Sequence, residues 1–162
     1  MATTTQAPIG ATVLTSDGRA RLARRLHDLD TEVLPELRER IWTQDRDGND
    51  DAALVAALAK RQAIAAALAN SVDAETVPDD PDVVEIGDWV TVRDGDGWEE
   101  TYRIVDPIEA PLDDVRVAST SPFADAALGR RVGDEIEIQP QAGAPYRFRI
   151  LHAGRHDPTG AA

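Results

Sequence analysis

The densest chemistry in the sequence is the run Asp45-Arg46-Asp47-Gly48-Asn49-Asp50-Asp51, four carboxylates and one guanidinium within seven residues. Carboxylate oxygens at this density suit a hard divalent cation. Magnesium commonly takes one or two protein carboxylates and leaves its other positions to water or a partner. The competing reading is a solvated turn in which Asp and Asn cap the following helix and Gly48 permits the reversal. A calcium loop of the EF-hand type is excluded. Counted from Asp45, Gly48 is fourth where glycine is required sixth, and position twelve is Ala56 in place of glutamate.

Two helical patterns flank this run and must position it. The first opens at Leu14-Thr15-Ser16-Asp17, with Ser16 as cap and Asp17 at the positive end of the dipole. Its stripe is Leu22, Leu26, Leu29, Val33, Leu37 and Ile41, at steps of three and four that suit a single partner helix. Pro35 removes a backbone donor, so a bend is expected near residues 31 to 35, not a stop, because the stripe resumes at Leu37. The second helix starts after Asn49-Asp50-Asp51 and presents Leu54, Ala57, Arg61, Ile64 and Leu68, widened by Leu58 and Ala65. Its alanines favour helix and allow close approach, which predicts an antiparallel hairpin. A first helix of roughly 28 residues would reach about 40 Å. The arginines Arg19, Arg21, Arg24, Arg25, Arg38 and Arg40 lie mostly outside the seam and read as a solvated face paired with acids.

Beyond a proline-bearing connection at Val77-Pro78-Asp79-Asp80-Pro81, the period changes to two. Strands are predicted at 89–93, 98–105, 115–119, 134–138 and 146–151, with Asp94-Gly95-Asp96-Gly97 as a hairpin turn. Tyr146, Phe148 and Ile150 alternate with Arg147, Arg149 and Leu151, so the aromatics read as one buried face, core in preference to ligand platform. The fold class is therefore α+β. The hairpin is expected at 12–75, a linker at 76–83, a sheet domain at 84–153, and disordered tails at 1–11 and 154–162.

Composition excludes several functions. A formal net charge of -13, with 17 Lys and Arg, disfavours autonomous duplex DNA binding. Cysteine is absent and the three histidines are scattered, so no disulfide, thiol nucleophile or cysteine zinc site is available. The first 11 residues carry no signal peptide or membrane span, and a soluble, cytoplasmic monomer without membrane attachment is expected.

Several blocks resemble the GreA and GreB family of bacterial transcription elongation factors. The most specific is Ser119-Thr120-Ser121-Pro122-Phe123, followed by Ala126-Ala127-Leu128-Gly129-Arg130 and Val132-Gly133-Asp134; Ile86-Gly87-Asp88-Trp89-Val90, Tyr102-Arg103-Ile104-Val105 and Leu14-Thr15 support it. The resemblance implies an N-terminal antiparallel coiled-coil hairpin and a C-terminal FKBP-like sheet domain with a short helix. It further implies RNA polymerase as partner, with the tip in the secondary channel near the nascent RNA 3' end. Ser121, Pro122 and Phe123 would then dock on the polymerase. Their other reading is structural, with Pro122 ending a strand and Phe123 packing under the sheet.

Matched to the family tip Gly-Asp-Leu-x-Glu-Asn-Ala-Glu-Tyr, the chain places its two implied acids at Asp47 and Asp50, with Asp45 and Asp51 beside them as further ligands for Mg2+ shared with the polymerase active site. The match departs at Arg46, Gly48, Asp50 and Ala53-Leu54. Two outcomes stay open: stimulation of cleavage of backtracked RNA, with no autonomous enzyme activity, or a channel regulator that inhibits nucleotide addition. A prolyl isomerase is set aside, because fold alone confers no function and the aromatics are few.

Overall fold

The computed structural model describes residues 12–43, 48–140 and 142–160. The expected tail at 1–11 and the tip acids Asp45 and Asp47 lie outside them. The chain forms two compact units, one of residues 17–71 and one of residues 1–16 with 72–162. The architecture is α+β.

In the helical unit, α1 (Ser16–Asp28) leads through a π-helical turn (Leu29–Val33) into α2 (Leu34–Trp42), and α3 (Gly48–Ala69) returns. Arg61 grips Asp30 at 2.5 Å and Arg40 lies 3.9 Å from Asp50, a pairing order that makes the helices antiparallel. The Arg61 guanidinium holds the Asp30 carboxyl below its ordinary value.

The expected stripe is half right. Leu22, Leu29 and Leu37 are buried, but the next buried position after Leu29 is Leu34, while Val33 is exposed. Leucines five apart cannot share a face of a regular α-helix. A π turn, bonded i to i+5, absorbs the extra residue and returns the stripe to register. Pro35, lacking an N–H, sits just after it at the start of α2, where a missing donor costs least. The expected feature near Pro35 is thus a π turn between two helical segments. On α3, Ala57 and Ile64 are buried and Leu58 is exposed, so the stripe is narrower than expected. By length and composition alone Asn49–Ala69 could cross a membrane; small alanines give it that character.

The other unit holds a small two-stranded sheet of β1 (Thr12–Leu14) and β2 (Ser71–Asp73), and a five-stranded sheet. The latter comprises β3 (Trp89–Asp94), β4 (Glu99–Val105), β5 (Arg116–Ala118), β6 (Glu135–Ile138) and β7 (Tyr146–Gly154) in the order β5-β4-β3-β7-β6. Only β4 and β5 pair in parallel among these neighbours. Val90, Val92, Ile104, Ile136 and Ile150 form one apolar face, on which α4 (Pro122–Ala127) lays Ala124 and Ala127. The opposite face carries cross-strand ion pairs, Arg93 with Glu99, Arg147 with Glu137 and Arg149 with Glu135.

Two buried charged groups tie this unit together. Glu109 is fully buried and accepts from the Thr15 backbone N–H at 2.8 Å, the Thr15 hydroxyl at 2.6 Å and Arg116 at 2.9 Å. Burial raises its pKa against the pull of those donors. Asp88 is likewise buried, accepting from the Glu85 N–H at 2.7 Å and facing Arg155 at 2.8 Å. The expected tail after residue 153 is corrected accordingly: β7 runs through Gly154, and Arg155 donates to the Ile86 carbonyl as well as pairing with Asp88 and Glu85. Gly87 has φ +103, and a Cβ there would meet Arg155 at 2.5 Å and Ala74 at 2.8 Å, so only glycine fits between them.

The π turn has a direct test. Deleting Val33 and replacing Pro35 with alanine restores steps of three and four, and the variant should keep its helical circular dichroism with a thermal midpoint no lower than the parent's. Deleting Ala23, inside α1, should instead rotate the stripe and cost roughly 2 kcal/mol or more; equal effects of the two deletions would count against this account. A second expectation concerns pH. Burial, opposed by the Glu85 amide and Arg155, pushes Asp88 up to about 6 from 3.8. The folded chain therefore holds this proton more tightly than the unfolded chain. The resulting stability is complete below the unfolded value of 3.8 and is lost as pH rises through about 6. The unfolding free energy should fall across that window by no more than about 3 kcal/mol, and Asp88→Asn should flatten the slope.

Candidate functional site

The helical unit supplies one candidate site, the acidic end of the hairpin. Asp50 and Asp51 stand in the first turn of α3, where the helix dipole favours carboxylates. The Asp50 side chain is 19% exposed and its carboxylate lies 3.9 Å from Arg40 Nη1, while Arg40 Nη2 donates to Glu36 at 2.9 Å. Asp50 is thus largely covered and faces a cation. The oxygen donors suit Mg2+ by type. Among the described residues no three acidic, histidine or cysteine side chains converge on a point.

The sheet unit supplies the second site. Ser121 is extended and caps α4, its hydroxyl accepting from the Ala124 N–H at 3.2 Å. Pro122 occupies the first turn, where its lost donor is harmless, and is exposed. Phe123 is half-buried and meets Tyr102 edge to face, with ring centroids 5.2 Å apart. Gly129, at φ +76, ends the segment and donates to the Val84 carbonyl at 2.9 Å. The three docking candidates therefore divide. Ser121 builds the loop, Phe123 joins the edge of the core, and Pro122 faces outward.

Beside this loop opens an apolar groove of about 370 Å3 lined by Tyr102, Val117, Phe123, Ile138, Tyr146 and Phe148. Tyr146 is 59% exposed, so the alternating aromatics of β7, read from sequence as buried core, leave the core at this end of the strand. Alternation correctly placed them on one face; it could not show that α4 stops short of covering it. Tyr102 donates its hydroxyl to Glu100, and burial first, then that bond, pushes its pKa to about 12, so the phenol keeps its proton.

Separating the roles of the loop residues is straightforward. Ser121→Ala should lower unfolding stability by about 1 kcal/mol through loss of the cap, while Pro122→Ala should change it by less than about 0.5 kcal/mol. Chemical denaturation of both variants checks this, and an unchanged Ser121→Ala would remove the cap from the account.

Comparison with known proteins places these features. The family profile described as transcription elongation factor GreA/GreB, C-term, matches residues 78–155. Transcription elongation factor GreA of Geobacillus kaustophilus is 34% identical over 142 residues, covering 80% of this chain and 89% of that one. Transcription elongation factor GreB of Pseudomonas aeruginosa is 30% identical over 156 residues, covering 87% and 89%. Among solved structures, GreA factor homolog 1 (Gfh1) of Thermus thermophilus is 27% identical with a TM-score of 0.40, covering 89% of this chain and 99% of that one. The agreement with GreA over most of both chains, with the profile lying on the sheet unit that carries the Ser121 loop, establishes that this chain belongs to the GreA/GreB family of transcription elongation factors.

Proposed function

We propose that this chain binds RNA polymerase through its sheet unit and carries the acidic hairpin end into the enzyme's secondary channel, acting as a cytoplasmic monomer. The observation that supports it most is family membership together with an acidic turn closing an antiparallel hairpin. Docking uses Pro122, Phe123 and the adjoining groove. The groove's exposed Tyr146 and the exposed Pro122 that precedes Phe123 offer apolar contact, and aromatic anchors commonly dominate interface energy.

At the tip, Asp47 and Asp50 are the residues that would hold Mg2+ shared with the polymerase active site, with Asp45 and Asp51 adjacent. When bound, the ion supplies Lewis-acid stabilisation and an activated water for hydrolysis of a phosphodiester in backtracked RNA. The chain's own part is to bring carboxylates to the RNA 3' end. It contributes no autonomous activity. A second reading is favoured by one observation: Asp50 is mostly covered and faces Arg40, which restrains it as a metal ligand. In that reading the hairpin occupies the channel and slows nucleotide addition without promoting cleavage.

A defined backtracked elongation complex from the cognate polymerase distinguishes the two across magnesium concentrations. Shortened RNA lost in the Asp47→Ala/Asp50→Ala double variant establishes cleavage, and slower addition without shortening establishes the channel regulator. The double variant should still compete with wild type for polymerase. Conversely, Pro122→Arg with Tyr146→Ala, which spares the Ser121 cap, should weaken binding about tenfold or more; wild-type binding by this variant would exclude the groove from docking.

A further inference from the structure

Trp42 is the last residue of α2 and is 91% exposed, the most exposed large apolar side chain among the described residues. Its neighbour Ile41 turns partly into the helical seam, whereas the indole leaves it. A frayed end does not account for this. The Thr43 N–H donates to the Glu39 carbonyl at 3.0 Å and the Thr43 hydroxyl to the Arg40 carbonyl at 3.0 Å, which close the last turn. Thr43 then turns extended, with φ -77 and ψ 147. A finished helix therefore ends on an exposed tryptophan, three residues before Asp45 in the sequence.

Charge selects the partner. Asp50 and Asp51 stand in the first turn of α3, Asp45 and Asp47 flank a single Arg46 in the sequence between Trp42 and that helix, and the whole chain has a net charge of -13. That field repels a phosphate backbone and favours a protein surface with basic side chains. An indole followed so closely in sequence by acids fits an apolar notch with a cationic rim: the notch takes the ring, and the cations meet the acids or lie over the ring face. We infer that Trp42 is a second anchor of this chain, seated in such a notch on the protein wall of the polymerase channel. The inference rests on the channel-docking reading and extends it from the carboxylates to an apolar contact behind them.

The test uses the full chain with Trp89→Phe and Trp98→Phe, so that Trp42 alone carries 5-hydroxytryptophan, excited where the polymerase's own tryptophans do not absorb. On adding polymerase core without nucleic acid, its emission should shift to the blue and acrylamide quenching should fall severalfold. In the otherwise unchanged chain, Trp42→Ala should weaken competition for the core enzyme about tenfold. If the Trp89 substitution loosens the sheet, the labelled wild type minus labelled Trp42→Phe gives the same signal. A complex that forms with unchanged emission and quenching overturns the inference and leaves docking intact. So does protection that appears only when RNA is added, or protection with no loss of affinity in Trp42→Ala. Failure of the wild type to bind core enzyme at all removes the docking reading itself, and this inference with it.

Discussion

The sheet unit depends on the carboxylate of Glu109. It is shut off from bulk solvent, and a buried anion persists only where donors are supplied in compensation. Those donors come from opposite ends of the sequence: the amide and hydroxyl of Thr15, and Arg116 at the start of β5. Arg116 is itself held by Asp113 at 2.9 Å. The segment preceding α1 is therefore part of the C-terminal unit's interior, and sequence-distant residues fold as one body. Such a pair adds little net stability compared with apolar packing, but it specifies which partners must meet. An amide, a hydroxyl and a guanidinium at fixed spacing tolerate few alternative arrangements.

The same economy appears around α4. A six-residue helix is too short to persist alone, and it is held by a proline-led first turn, the Ser121 cap and two alanines pressed on the sheet. Because alanine is small, the sheet approaches closely there, and because the helix is short, the aromatic end of β7 remains uncovered. The groove beside Phe123 follows from these two facts. Phe123 belongs to both the loop and the groove, and the Ser121 cap fixes the turn that carries it.

Much of this was legible in the sequence where one local rule governed. Period-two alternation located all five strands of the main sheet, and the Asp94 to Gly97 turn joins β3 to β4 as its composition indicates. Leu22, Leu29, Leu37, Ala57 and Ile64 were readable from helical spacing. What failed was anything set by competition between rules. Val33 satisfied the spacing, yet Leu34 is buried, because a π turn outweighed regular periodicity beside Pro35. The Glu109 cluster had no sequence signal, since its members are separated by up to 101 residues. Tyr146 was assigned to the core by its alternation, yet it stands exposed at the start of β7, which alternation along one strand does not reveal. At the tip, Asp50 and Asp51 were visible as acids, but the restraint of Asp50 by Arg40 depends on the hairpin's register.

That register also governs reach. A π turn spends an additional residue without a matching advance along the helix axis, so Leu29–Val33 carries the chain forward roughly one residue's rise, about 1.5 Å, less than its length in residues would indicate. The chain thus contains a ruler with one graduation compressed. Counting residues along a regular α-helix from the start of α1 would misplace the far end of the hairpin by that amount, a displacement of the size to which positioned reacting groups are sensitive.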